Sequence, residues 1–270
     1  MGKVWLIASG KGGVGKSTLS AMLGTALAHR GQNVCIVDMD IGLRSQDILL
    51  SMQDRMVFDL MDVCEGSCDL DSALNSADGE DHLFLMTCPQ FSRVKELDPK
   101  QIAKVIAQLK ERFDHVLLDS PAGIERGLRH LTRCHPDEII LVATPDDLCI
   151  RDAERALQVL TGKKLPRPRV IVNRLVPDYI EIGEMYKAST VAETLDVQLL
   201  GEVPEEPAVY RAQLNHLSIL DVDCEARSAA LRIAGRMMGE NPPFPDYGKK
   251  RPWYSRFFHP VIGEVKRIDR

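Results

Sequence analysis

Residues 10–17 read Gly10-Lys11-Gly12-Gly13-Val14-Gly15-Lys16-Ser17 and follow the apolar run Val4-Trp5-Leu6-Ile7-Ala8. The pattern is G-x-x-x-x-G-K-[ST] in its expected setting of strand, glycine-rich turn and helix. The glycines let the backbone curl until successive N–H groups point inward at an anion. The next segment, Thr18 to His29, predicts a helix whose positive N-terminal end faces that anion. In such a loop Lys16 reaches the β- and γ-phosphates of a nucleotide, and the Ser17 hydroxyl binds Mg²⁺.

Outward from this loop the chain alternates apolar runs with helical periodicity. Asn33-Val34-Cys35-Ile36-Val37 reads as a buried strand ending at Asp38-Met39-Asp40. A helix is expected from Ser45, a second short one over Met56 to Val63, and loop and turn over Gly66 to Ala77. Strands follow at 82–86, 113–119, 138–143, 169–172 and 199–203. Between them Asp98 caps a helix with Pro99 at its first position and Ile102, Val105, Ile106 and Leu109 on one face. Further helices are read through Leu160, over Val191 to Leu195, and over Glu225 to Met238. Strands separated by helices imply right-handed crossovers and an α/β fold: a doubly wound, mostly parallel sheet with helices on both faces. Ligands of such a sheet lie beyond the carboxyl ends of the strands. The residues to inspect are therefore 10–17, Asp38, Asp40, Asp119, Thr144 and Asn173.

Asp119 closes the apolar run Phe113-Asp114-His115-Val116-Leu117-Leu118. A carboxylate there suits a Walker B acid, which holds the Mg²⁺ shell opposite Ser17. Hydrolysis also needs a group that orients water in line with the γ-phosphate; Asp38 and Asp40, at the end of the second strand, are the available acids.

Composition sets bounds. At 270 residues and 44% hydrophobic content, one α/β domain is the simplest count. No apolar run approaches the length of a membrane-spanning helix, and the N-terminal stretch reads as a strand rather than a signal peptide. Seven scattered cysteines fit reduced thiols in cytosol. Cys64-x-x-x-Cys68 is the one close pair and has no second pair to complete a metal site. Residues 249–270 hold seven Lys/Arg and two Asp/Glu, a charge of +5; since the whole chain carries −5, the remainder carries −10. An acidic body with a basic tail disfavours nucleic-acid binding and suits a tail that seeks an anionic surface. The tail follows a Pro-rich linker at 241–248, which separates it from a domain over 1–240. Written as a helix from Pro252, it places Trp253, Tyr254, Phe257 and Phe258 on one face, with Lys249, Lys250 and Arg256 on the rim. That is the pattern of an interfacial membrane helix, held to about two turns by Pro252 and Pro260.

Taken together these motifs resemble the MinD/ParA family of dimerising ATPases, from residue 3 to about 260. Lys11, directly after the first glycine, gives the deviant Walker A form K-G-G-x-G-K-[ST]; in that family the extra lysine contacts the phosphates bound by the partner subunit. Asp38-Met39-Asp40-Ile41-Gly42-Leu43-Arg44 is similar to the D-x-D-I-G-L-R signature of its MinD branch. The resemblance implies that Asp40 holds the attacking water and Asp38 supports the Mg²⁺ shell. Asp119-Ser120-Pro121-Ala122-Gly123-Ile124-Glu125 resembles the segment whose glycine N–H senses the γ-phosphate. Asn173-Arg174 and Pro204-Glu205-Glu206 match the places where the family builds its adenine pocket. Arg151-Asp152 matches a partner-binding surface, although Leu148-Cys149-Ile150 departs from the small polar residues usual there.

The resemblance implies a Mg²⁺-dependent ATPase that cycles between ATP and ADP and forms a homodimer with ATP. It implies a cytoplasmic protein bound peripherally to anionic inner-membrane lipid, and placement of the division septum with a MinC-like inhibitor and a MinE-like or other activator. A ParA-type DNA partition ATPase would want a basic body. A flagellar-placement relative would carry an N-terminal extension, and only residues 1–9 precede the loop. An Mrp-like iron–sulfur carrier would want C-x-x-C. A scaffold without hydrolysis leaves Lys16, Asp40 and Asp119 without a purpose.

Overall fold

The computed structural model describes residues 2–40, 44–77, 81–89, 98–121, 123, 128, 131–161 and 165–247. Its centre is a strand pair, β1 (Lys3–Ala8) and β5 (His115–Asp119), parallel and in register from Lys3↔His115 to Ile7↔Asp119. On one side β5 is followed by β2 (Val34–Asp38), β4 (Leu83–Met86) and the short edge strand β3 (Asn75–Ser76). On the other side β1 is followed by β6 (Glu138–Ala143), β7 (Arg169–Leu175) and β8 (Gln198–Pro204). Among the described residues every pairing is parallel except β3 with β4. The expected doubly wound sheet is thus present, with one antiparallel edge.

Both faces of the sheet are covered, which is why its strands read as unbroken apolar runs. Trp5 and Ile7 pack into one core, while Val4, Leu6 and Ala8 pack into the other. The first core is closed by α1 (Lys16–Ala28) and by the last described helix, α10 (Glu225–Met237), which lie against each other. Nearly all of α1 is buried between sheet and α10, so it lacks the amphipathic stripe of a surface helix. The second core is closed by α5 (Pro99–Arg112), whose buried positions are the expected Ile102, Val105, Ile106 and Leu109. Asp98 accepts from the Lys100 N–H at its start.

Some local expectations change. After α2 (Gln46–Leu49), the helix read over Met56 to Val63 begins only at Leu60 and runs to Glu65 as α3. An Asp59–Asp62 capping box fixes that start, and a 3₁₀ turn at Gln53–Arg55 takes up the residues before it. The stretch read as loop over Gly66 to Ala77 holds α4 (Leu70–Ala73) and β3. Between Thr144 and Thr161 the helix is α6 (Asp147–Thr161). Beyond β7 lie α7 (Pro177–Glu181) and α8 (Ala188–Thr194); beyond β8 lies α9 (Pro207–Leu214). Helices α7 and α9 did not stand out in the sequence, although each carries Pro at its first position.

The described part of the Pro-rich segment, 241–247, packs back on α10. Arg236 donates to the Pro242 carbonyl at 2.8 Å and stacks its guanidinium 3.8 Å from the Phe244 ring centroid. The Tyr247 hydroxyl donates to Glu225 at 3.1 Å, and Arg30 pairs with Glu240. The tail that follows, with Lys249, Lys250, Trp253, Tyr254, Arg256, Phe257 and Phe258, lies outside the described residues. Among the described residues no helix is long and apolar enough to cross a membrane.

Candidate nucleotide site

The carboxyl ends of β1, β2, β5 and β7 converge on the loop at 10–17. The loop's shape depends on close approaches that only glycine permits. A Cβ at Gly10 would stand 2.1 Å from the carbonyl oxygen of Asp152 on α6. Gly15 adopts φ +91°, and a Cβ there would stand 2.4 Å from Nδ2 of Asn173. That Asn173 amide, nearly buried, donates to the Val14 carbonyl at 2.8 Å. It therefore ties β7 to the loop. Lys11, Gly12 and Gly13 are exposed at the loop's outer rim, and the Ser9 hydroxyl donates to the Lys11 carbonyl at 3.0 Å.

Lys16 is buried, and its Nζ donates to Asp119 Oδ1 at 2.8 Å. Asp119 is fully buried and takes a second donor on Oδ2, the Nε2 of Gln46, at 2.7 Å. Asp38 pairs with Asp119 across the β2–β5 register. Its two oxygens already accept three backbone N–H groups, those of Asp40 at 3.0 Å and of Ser45 and Gln46 at 2.9 Å each. Asp38 therefore shapes the turn that follows β2. Burial pushes its carboxyl up to about 6, against the pull of those N–H bonds and with an added push from Asp119. Asp40 is half-buried; burial raises its carboxyl, the Lys16 charge opposes this, and Asp119 adds to it. Of the sequence signature spanning these acids, Ile41, Gly42 and Leu43 lie outside the described residues. So do Ala122, Ile124 and Glu125 of the segment after Asp119, while Gly123 has φ +89°.

Thr144 does not open onto this cluster. Its hydroxyl donates to Asp146 at 2.6 Å and its N–H donates to the Cys149 sulfur at 3.2 Å, while Asp146 caps α6 by accepting from the Cys149 N–H at 2.9 Å.

On the far side of the loop a cavity of about 300 Å³ is lined by Gly15, Thr18, Asn173, Arg174, Pro204 and Glu205, with Tyr210 and Gln213 of α9. Asn173 and Arg174 were read as following a strand that ends at Val172. Instead β7 continues to Leu175 through a register shift against β8, with Arg174 at φ +60°. A bulge of this kind re-aims side chains at a strand end. Here Arg174 is exposed beside the cavity and Asn173 faces the loop.

A family model described as ParA, NUBPL iron-transfer P-loop NTPase, matches residues 1–238. The chain is 39% identical to the septum site-determining protein MinD of Bacillus subtilis over 247 residues, covering 90% of this chain and 91% of that protein. The chain belongs to the MinD/ParA family of P-loop ATPases. In three dimensions it is similar to the MinC:MinD cell division complex of Aquifex aeolicus, with a TM-score of 0.84 and 34% identity over 92% of this chain and 100% of that one. It is also similar to MinD of Pyrococcus horikoshii complexed with Mg-ADP, with a TM-score of 0.76 and 27% identity over 88% and 96% of the two chains. Among the described residues no three His, Cys, Asp or Glu side chains cluster as a metal cage.

Within this family frame the structure joins most of the sequence-read residues and adds others. Gly10 to Thr18, Asp38, Asp40 and Asp119 form one cluster, and Asn173, Arg174, Pro204 and Glu205 border the adjoining cavity. Arg151 and Asp152 sit on α6, Arg151 exposed and Asp152 half-buried, and the Asp152 backbone packs against Gly10 of the phosphate loop. Three contributors were not legible beforehand: Gln46, and Tyr210 and Gln213 of the unread α9. Gln213 is anchored to the loop helix, its Nε2 lying 3.3 Å from the Thr18 hydroxyl.

Proposed function

We propose that this protein is a Mg²⁺-dependent ATPase of the MinD type, which dimerises with ATP, binds the inner membrane through residues 249–270 and positions the division septum. The observation that carries this reading is the single cluster formed by the loop at 10–17, the Lys16–Asp119 pair and the acids after β2, in a chain with MinD relatives along nearly its whole length. The cavity beside Gly15 suits a flat base, and the Asn173 and Gln213 amides offer edges for adenine.

The residues present fit a magnesium ion. The candidate donors are all oxygens, as this hard ion prefers, and it is ordinarily held by one or two protein groups plus phosphate and water rather than by a protein cage. Ser17 and Asp119 would hold it, and it would neutralise charge on the phosphates. Lys16 rests on Asp119. When nucleotide binds, Lys16 turns to the β- and γ-phosphates, which need its charge more than a carboxylate that then faces a cation. Asp40 orients water in line with the γ-phosphate. Lys11, exposed on the rim, reaches the phosphates of the partner subunit. Asp38 keeps the turn that carries Asp40 in place.

The tail explains how ATP switches location. Written as a helix of about two turns, the tail would bury few side chains, each large one contributing at most about 1.5–3 kcal/mol. A single tail therefore binds lipid weakly and reversibly. Two tails on one dimer bind with high effective concentration for the second. The likeness to the MinC:MinD complex of Aquifex aeolicus supports a MinC-like inhibitor as partner; in this reading it docks at the α6 surface around Arg151 and Asp152, and a MinE-like or other activator drives hydrolysis. The test is sedimentation with anionic vesicles in ATP or ADP. Wild type is expected to pellet only with ATP, while truncation at residue 248 and Lys11→Ala both stay in solution. Equal pelleting of Lys11→Ala and wild type in ATP refutes dimer-driven binding.

A further inference from the structure

Gln46, the first residue of α2, stands where the three parts of the site meet. Its backbone N–H is held by Asp38 at 2.9 Å. Its side chain is fully buried, with Nε2 donating both to Asp119 Oδ2 at 2.7 Å and to the Ser17 carbonyl at 3.0 Å. The orientation of the amide is not ambiguous. Both neighbours are pure acceptors, so the NH₂ end must face them and the oxygen must face away. That oxygen, Oε1, is buried and has no hydrogen-bond partner in the protein. Buried polar atoms are nearly always paired, with protein or with ordered water. An acceptor left free on the same amide that holds the Walker B acid and the loop serine marks a place for a donor that arrives with the ligand.

We infer that Gln46 is a positioning residue for the magnesium–nucleotide complex, fixing the Asp119 carboxylate through Nε2 and accepting from a metal-bound water at Oε1. Asp119 loses Lys16 to the phosphates when nucleotide arrives, and Gln46 is the donor that stays. It keeps the carboxylate turned toward Ser17 while the lysine leaves. It also links that event to the turn after β2, since Asp38 binds the same residue's backbone. Partners of this kind, one step removed from the metal, typically change metal affinity 10–100-fold when removed. This inference rests on the magnesium-dependent ATPase reading.

The experiment measures ADP affinity by calorimetry across a Mg²⁺ titration and in excess EDTA, for the whole chain. Gln46→Met keeps length and volume but removes the donor and the free acceptor. Gln46→Glu keeps shape and polarity and puts an acceptor against Asp119, and serves if the first variant folds poorly. The expected result is that the Mg²⁺ concentration needed for tight ADP binding rises about tenfold or more in both variants. Affinity in EDTA should stay within about twofold of wild type, because the loop amides are untouched. Unchanged Mg²⁺ requirement in both variants overturns the positioning role while leaving the ATPase reading intact. An equal loss with and without Mg²⁺ overturns it too, because the residue then only shapes the loop. If wild type itself binds ADP no better with Mg²⁺ than in EDTA, both readings fall together.

Discussion

The Lys16–Asp119 pair gives the phosphate-loop lysine a second task, which Lys16→Met exposes. Lys16 Nζ lies 2.8 Å from Asp119 Oδ1, with relative exposures of 6% and 0%. The carboxylates of Asp38, also fully buried, and half-buried Asp40 stand close by, and Lys16 is the cation that opposes Asp119 directly. Removing one partner of a buried pair leaves the other charge uncompensated, at a cost of about 3–5 kcal/mol. Gln46 still donates to Asp119, so the lower end, about 3 kcal/mol, is expected. At ~2–4 °C per kcal/mol for a chain near this size, the nucleotide-free melting temperature should fall by roughly 10 °C. Asp119→Asn alone should destabilise as well, by leaving the ammonium without its counter-charge. The double variant replaces the pair with neutral groups and should recover most of the loss, because a buried ion pair is worth little against neutral substitutes. Urea unfolding of all four proteins in EDTA closes the cycle. A coupling below about 0.5 kcal/mol, within the error expected for independent sites, would refute a stabilising Lys16–Asp119 pair.

Gly10→Ala places a methyl 2.1 Å from the Asp152 carbonyl, backbone against backbone, so loop and α6 must separate; a loss of about 1–3 kcal/mol in thermal unfolding and weaker Mg-ADP binding are expected. Asn173→Ala frees the Val14 carbonyl and should cost about 1 kcal/mol, read as roughly fivefold weaker ADP binding with the fold intact by circular dichroism. Glu202 on β8 is nearly buried, and burial pushes its carboxyl from 4.5 up to about 7 despite Arg232 and Arg236 nearby. A carboxyl raised in the folded state stabilises the fold fully below 4.5 and ceases to do so as pH rises through about 7. Glu202→Gln, which mimics the protonated group, should therefore stabilise by about 2 kcal/mol at pH 8, the gain shrinking toward zero as pH falls to 4.5; a gain independent of pH contradicts the assignment.

Those parts of the fold and site that depend on neighbours along the chain are legible in the amino-acid order. A phosphate loop is eight consecutive residues whose glycines, lysine and serine act through their own backbone, so their spacing carries the chemistry. Strands buried on both faces must be unbroken apolar runs, and helix α5 announces itself through Asp98, Pro99 and one apolar stripe. The acids at 38, 40 and 119 were legible because a charged residue closing such a run needs a reason to be there. The remaining contacts arise where residues far apart in the chain meet at hydrogen-bond distance. Nothing local marks Gln46, a polar residue opening a one-turn helix, as the donor to an acid 73 positions later. Nothing near Asn173 predicts that a bulge in β7 turns it onto Val14, 159 positions earlier. The Asp152 carbonyl that forbids a side chain at Gly10 belongs to a helix placed by the sheet order, and that order arises from packing both faces at once. Residues 241–247 read as a spacer because proline breaks a helix, yet Arg236 and Glu225 hold them to α10. Local pattern specifies which elements form; the side chains that two distant elements present to each other are set only when the core closes.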